Sequence, residues 1–251
     1  MKKYFFLLPL IYISLCHNIY TQEISELRAT YTDEKITLDG IDSELSWGKT
    51  QVINDDFYQL IPLREVKASQ KNSIKIIYDD KFLYIFAKAS TKDGKASVTS
   101  LERDYQVPGT DAIFILLDTY SDSSNAFWFE ANSVGVKKDA LVSNGGLRFE
   151  SDIDFSWDIK YEVETFISEE FYNIEFKIPF GSLKFPEGST KWKIQLYRAD
   201  SANSEFSSWT KVPKGQNFSR LSFFGDLIFD KPLGSSKSPI IVIPYTNGIV
   251  S

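Results

Sequence analysis

The run AIFILL, residues 112–117, sits between Asp111 and Asp118. Six consecutive apolar residues are too few for a helix of ordinary length. Bracketed by charge, they fit a strand buried on both faces, in the middle of a two-layer protein. A loop rich in Asp, Ser and Asn follows over 118–125, and then a second strand, AFWFEAN. After a turn at 132–135, residues 134–141 supply a third strand. The stretch 111–141 is therefore the centre of a β-sandwich, with the remaining strands added around it.

Other strands are marked by the same signals. NSIKIIYDDKFLYIFAKAS reads as a hairpin turning at Asp79 and Asp80. Ile74, Ile76 and Tyr78 alternate with Lys75 and Ile77, and in the partner strand Leu83, Ile85 and Ala87 are expected to face one way and Phe82, Tyr84 and Phe86 the other. Trp157, Ile159, Tyr161 and Val163 alternate with charged residues, a strand with one face in water. FYNIEFKIPF repeats the period and ends at Pro179, which cannot donate to a ladder. WKIQLYRAD, FSSWTKVP and LSFFGDLIF follow. ITLDGIDSELSW (36–47) gives a short strand, a turn at Asp39 and Gly40, and a helical turn that Asp42 can cap, with Trp47 closing one end of the core. Ten or more short strands and no long amphipathic helix make the fold all-β, a jelly-roll-like antiparallel β-sandwich. Phe (20) and Tyr (13) are abundant, as half-buried pleated surfaces favour.

The N-terminus reads as a secretory signal peptide over residues 1–21. Lys2 and Lys3 precede an apolar stretch (4–15) too short to span a bilayer, and a polar exit lies near Thr21. Cys16 is a lipidation candidate, but bulky Leu15 before it favours ordinary cleavage. The chain's single Met, Cys and His all lie in this leader. On its removal Lys and Arg fall from 28 to 26 against 34 Asp and Glu, so the net charge moves from −6 to −8.

That inventory excludes whole classes of chemistry from the mature chain: a Ser-His-Asp triad, a Cys nucleophile, a zinc site on His or Cys, haem ligation by these residues, and disulfides. The acidic balance, with no Lys/Arg cluster, excludes nucleic acid as the natural partner. Carboxylate chemistry, oxygen-ligated cations and recognition by aromatic faces remain. Residues 22–35 read as an N-terminal arm, 36–230 as the sandwich, 231–239 (KPLGSSKSP) as a Gly/Ser/Pro linker, and 240–251 as the opening of a further β element.

ITLDGIDSELSW, the IYDDKFLYIFAKAS hairpin, the strand between Asp111 and Asp118 ahead of NAFWFEAN, and EFKIPFGSLKF occur in an order that resembles carbohydrate-binding module family 9. More closely they resemble its variant that precedes an outer-membrane β-barrel in Bacteroidetes proteins of unknown function. The resemblance covers roughly 36–229. It implies an exported, non-catalytic domain that binds oligosaccharide or polysaccharide at the periplasm, outer membrane or cell surface, with a C-terminal barrel as partner and a role in carbohydrate catabolism. The family's sugar slot lies between two tryptophans, whose places here hold Pro108 and Phe218; Glu130 stands where the family offers an arginine.

Sugar recognition needs flat apolar faces and planar polar groups. Phe218 with Tyr105 is the expected platform. Asn217, Arg103 and Asp104 are candidate polar neighbours, Trp209 a candidate exposed ring, and Trp128 a core residue. Asp118, Asp122 and Asn125 form a candidate calcium site on one loop, and Asp152 with Asp154 a second acidic loop. Two rival readings remain: a structural or protein-interaction cap for the barrel, and a glycoside hydrolase with paired carboxylates. An apolar patch without a slot would favour the cap, and a groove beside Phe218 favours sugar.

Overall fold

The strand that the apolar run predicted is β6 (Ala112–Asp118), and every residue in it is buried. The computed structural model describes residues 25–92, 95–105 and 109–235. The expected signal peptide with Cys16, Pro108 at the place of an expected slot residue, and the β element expected over 240–251 lie outside them, as does part of the expected 231–239 linker.

Two sheets face each other. The front sheet runs β14 (Gly225–Phe229), β12 (Lys191–Asp200), β6, β7 (Ala126–Asn132), β8 (Lys137–Val142) and β9 (Ile153–Asp154). The far half of β12 also pairs with β13 (Glu205–Ser208), and β13 with β3 (Tyr58–Ile61). The back sheet runs β10 (Glu162–Ile167), β11 (Phe171–Pro179), β5 (Phe82–Ser90) and β4 (Asn72–Tyr78), with β2 (Val52–Asn54) on the start of β4.

The arm expected over 22–35 is instead the strand that joins the sheets. In β1 (Glu26–Tyr31), residues 26–29 pair with β14 of the front sheet, while Thr30 and Tyr31 pair with Ile77 and Tyr78 of the back sheet. Both pairings are parallel, so the expectation of a wholly antiparallel sandwich holds for every other named strand pair and fails at β1. Leu27 and Ala29 are fully buried.

The alternation of each strand decides which side chains meet between the sheets. Ile113, Ile115 and Leu117 face Ile74, Ile76, Leu83, Ile85 and Ala87 across the interior, with Tyr172, Ile174, Phe176 and Ile178 of β11. At one end Trp192 packs against Phe229 (4.9 Å between centroids), Phe185 (5.2 Å) and Phe180 (6.0 Å). The opposite side chains of the hairpin, Ile77, Tyr84 and Phe86, form a separate cluster with Ile36 and Trp47 on the outer side of the back sheet. Trp47 therefore covers a sheet face and does not close an end of the main core.

Local corrections have local causes. The helical turn is a 3-10 turn, Leu45–Gly48, which Asp42 does not cap. Asp42 pairs with Lys75 at 2.6 Å, and the carboxylate of Glu34 accepts from the Ser46 amide and hydroxyl instead. Residues 36–38 form no strand, and the strand expected from Trp157 begins only at Glu162. Ile159 and Tyr161 are nonetheless buried, as their spacing required. The 79–82 turn is closed by Asp79, whose Oδ1 accepts from the amides of Lys81 and Phe82.

Candidate functional site

The second face of β6, β7, β8 and β12 does not look into the sandwich. It carries Phe114, Trp128, Glu130, Lys138, Tyr197 and Ala199, and the chain folds loops over it. Between the sheet and these loops lies a cleft of about 910 Å³. Its floor is Phe114, Trp128, Glu130 and Lys138; its walls are Phe149, Phe155, Phe206 and Phe218, with Asp104, Asp200 and Glu205 around it.

The walls come from four separate stretches. Phe149 opens a four-residue helix, α1 (Phe149–Asp152), and Phe155 follows β9. Phe206 lies on β13, and Phe218 on the loop before the 3-10 turn Leu221–Phe223. The rings pack edge to face: Phe218 is 5.2 Å from Phe206 and 6.4 Å from Trp128, and Trp128 is 5.8 Å from Phe155. Phe149 and Phe218 touch at 5.3 Å with planes tilted by 44°, so they form one continuous wall and leave no slot between them.

Backbone contacts fix this wall. The Tyr197 hydroxyl of β12 donates to the Phe218 carbonyl, and the Ser219 hydroxyl donates to the Gly146 carbonyl at 3.0 Å. Gly146 has φ +63°, and a Cβ there would collide with the Ser219 carbonyl. The Asn-Gly-Gly turn thus lets the segment bearing Phe149 lie directly against the segment bearing Phe218.

The floor is polar where it is deepest. Glu130 is 1% exposed; its Oε2 accepts the Trp128 indole N–H at 3.1 Å, and the buried Tyr105 hydroxyl lies against the carboxyl group. Burial pushes its carboxyl up to about 7, opposed by the neighbouring Lys138 ammonium. Lys138 is paired with Glu130 in the β7–β8 register. Its ammonium donates to the Tyr105 carbonyl at 3.2 Å and lies 4.4 Å over the Phe155 ring.

Of the residues expected to bind sugar, Phe218 and Asp104 line this cleft. Tyr105 offers no platform: its ring is buried in the apolar cluster with Phe114 and Trp128, its hydroxyl lies against Glu130, and its carbonyl accepts from Lys138. Asn217 points to the 144–149 segment, donating to the Leu147 carbonyl at 3.5 Å and accepting from the Ser219 amide. Arg103 is engaged by Asp139 at 2.7 Å and by Asp158. Trp209, expected on an exposed strand, is buried in the main core against Gly225.

The acidic loops are self-contained. Asp118 accepts from the amides of Tyr120 and Ser123, and Asp122 from that of Ser124. Asn125 lies apart, on a polar cleft with Arg220. Asp152 accepts from the Arg148 amide and Asp154 from Ser156. Among the described residues no group of three or more His, Cys, Asp or Glu is placed to hold a metal ion. These carboxylates close turns.

A second buried carboxylate is raised to about 7 by burial: Glu175, on the outer side of the back sheet, where Oε2 accepts from the amides of Asp39 and Gly40 at 3.0 Å each. It shares no cleft with Glu130, so these two acids do not form a pair across one substrate.

No family model and no curated protein matches the chain. Solved structures do. A family 9 carbohydrate-binding module from Caldicellulosiruptor kristjanssonii in complex with cellotriose superposes with a TM-score of 0.56 at 16% identity, covering 88% of this chain and all of the module. The same organism's family 9 module with glucose gives 0.56 at 15%, covering 82% and 96%. A protein from Bacteroides uniformis ATCC 8492, taken to bind carbohydrate, gives 0.64 at 13%, covering 82% and 100%. At such identities the likeness is one of architecture: this chain has the β-sandwich fold found in family 9 carbohydrate-binding modules.

Proposed function

We propose that the chain is an exported, non-catalytic carbohydrate-binding domain that takes oligosaccharide or polysaccharide in the cleft beside Phe218. The observation that carries this reading is a wall of contiguous aromatic rings over a floor that presents buried polar side chains. Ring faces cover the C–H surfaces of a sugar, and Asp104 and Lys138 supply an acceptor and a donor for its hydroxyls. Proteins of the same fold hold cellotriose and glucose. In this reading the domain acts beside, or fused to, an outer-membrane barrel in glycan handling.

A groove beside Phe218 supports this function over a structural cap. A hydrolase needs two carboxylates facing each other across the sugar. Here Glu205 is committed to the Ser69 amide and hydroxyl, and Asp200 to Asn203 with Arg198 at 3.5 Å. The small contact area of a few aromatic faces leaves a modest surplus over ordering costs, so affinities of about micromolar to millimolar are expected.

Calorimetric titration with mono- and oligosaccharides, with calcium and with chelator, tests the reading, run beside Phe218→Ala. Saturable heat that disappears in the variant is the expected result. Silence across a broad panel from folded protein refutes the sugar reading and turns attention to a protein partner.

A further inference from the structure

The inner polar groups of the cleft are already engaged by the protein, and what it offers a ligand there is ring surface. Glu130 has the Trp128 indole and the Tyr105 hydroxyl beside it. Glu205 accepts from the Ser69 amide and hydroxyl, and Asp200 from Asn203. Thr110 is fully buried, its hydroxyl bonded to that of Thr99 at 2.6 Å. Lys138, 8% exposed, directs one N–H to the Tyr105 carbonyl and lies over the Phe155 ring, which leaves the cleft at most its remaining N–H groups. Among the described residues no Asn or Gln side chain lines the cleft.

That is a poor match for a bare sugar. A saccharide carries a hydroxyl on almost every carbon, and each one buried without a partner loses its hydrogen bonds to water for nothing in return. Hydroxyls therefore belong at the rim, where the Asp104 side chain is 48% exposed and Ser201 and Ser204 reach solvent. The space behind the rim, in a cleft of about 910 Å³, is bounded by Phe114, Trp128, Phe155, Phe206 and Phe218. A cleft of that size with so few polar groups suits a compact, largely apolar ligand part. The ring planes meet steeply, at 78° between Phe114 and Phe206 and 80° between Phe206 and Phe218. This is the edge-to-face order that one more aromatic ring extends favourably.

We infer that the cleft takes a sugar through an aromatic substituent: the substituent's ring enters among the phenylalanines, and the sugar stays at the rim beside Asp104, Ser201 and Ser204. The inference rests on the carbohydrate-binding reading above and names the ligand class within it. An aryl glycoside and an aromatic acid ester of a sugar share this chemistry, and the test separates them.

The test is calorimetric titration of the wild type and Phe206→Leu with matched pairs. One pair is phenyl against methyl glucoside and xyloside; the other is feruloylated xylo-oligosaccharide before and after saponification. Phenol and ferulate alone are titrated beside them, and thermal melts confirm that each protein is folded. The ring-bearing member is expected to bind the wild type about tenfold more tightly than its partner, the scale of one aromatic ring buried among others. An advantage confined to phenyl glycosides identifies aryl glycosides, and one confined to feruloyl esters identifies aromatic esters. Phe206→Leu keeps apolar bulk but removes a ring, so the advantage is expected to narrow; a merely structural loss would weaken both members of a pair alike. Equal affinity within every pair, or an advantage unchanged in folded Phe206→Leu, overturns the inference while the sugar-binding reading stands. The wild-type comparison holds whether or not the variant folds. Phenol or ferulate binding as tightly as its sugar-linked form, or silence throughout from folded wild type, overturns both.

Discussion

Replacing Glu130 by Gln is expected to stabilise the protein, and only above acidic pH. In the folded chain the carboxyl is 1% exposed, with the Trp128 indole N–H and the Tyr105 hydroxyl beside it, and burial pushes its pKa from 4.5 to about 7. The folded state therefore holds this proton more tightly than the unfolded chain does. Stability contributed by the protonated group is complete below about pH 4.5 and is lost as pH rises toward 7. At about 1.4 kcal/mol per pH unit, the span from 4.5 to about 7 corresponds to a loss of about 3 kcal/mol. Glutamine is isosteric and does not ionise, so it escapes that loss. The variant and the wild type should melt alike near pH 4, the gap should open between pH 4.5 and 7, and it should level off by pH 8. With part of the gain absorbed by the new amide's own unmet hydrogens, about 1–3 kcal/mol is expected, or about 3–10 °C in melting temperature for a domain of this size. Glu175, also raised to about 7, slopes the stability of both proteins in the same direction and cancels in the difference. Thermal melts or urea titrations at half-unit pH steps provide the assay. A pH-independent gap, or a wild type that gains on the variant as pH rises, would refute the reasoning and mean that the carboxylate is satisfied in solution.

Gly225→Ala would place a Cβ 2.5 Å from the buried Trp209 ring and 2.6 Å from the Ser25 carbonyl oxygen, so a core ring and a backbone atom would have to shift. A loss of about 1–3 kcal/mol or more is expected in denaturant titration. Trp192→Ala empties the aromatic end of the core and should cost about 3–5 kcal/mol by the same measurement. Gly146→Ala, at φ +63° against the Ser219 carbonyl, should push the Phe149 and Phe218 segments apart. Its signature is sugar affinity lowered about tenfold, a loss of fit at the wall that calorimetry reads directly.

Some of this was legible from spacing alone. A six-residue apolar run can satisfy burial on both faces only as a central strand, and β6 is one. Period-2 alternation put Ile85 and Phe86 on opposite faces without reference to any partner, and only the packing of the sheets made Ile85 the inner one. Other expectations failed where polarity was taken for exposure. Ser207 and Ser208 are buried because β3 covers β13, and Trp209 goes into the core with them. Tyr105 sits in a polar stretch yet its ring is buried in the cluster on the second face of the front sheet.

The amino-acid sequence by itself determined the fold class, the chemistry that residues 22–251, which hold no His, Cys or Met, lack, and the alternation of its strongest strands, because these depend on residue type and on periods within a few positions. It did not determine β1, whose few buried side chains acquire meaning only beside β4 and β14, partners remote in the chain and parallel to it. Nor did it determine the cleft. Phe149, Phe155, Phe206 and Phe218 belong to four stretches with no shared period. Only chain reversal across the front sheet, and the close approach that Gly146 permits, bring them over Glu130. Contacts between residues far apart in sequence leave no local signature, so the tertiary structure alone decided where this cleft lies and which side chains line it.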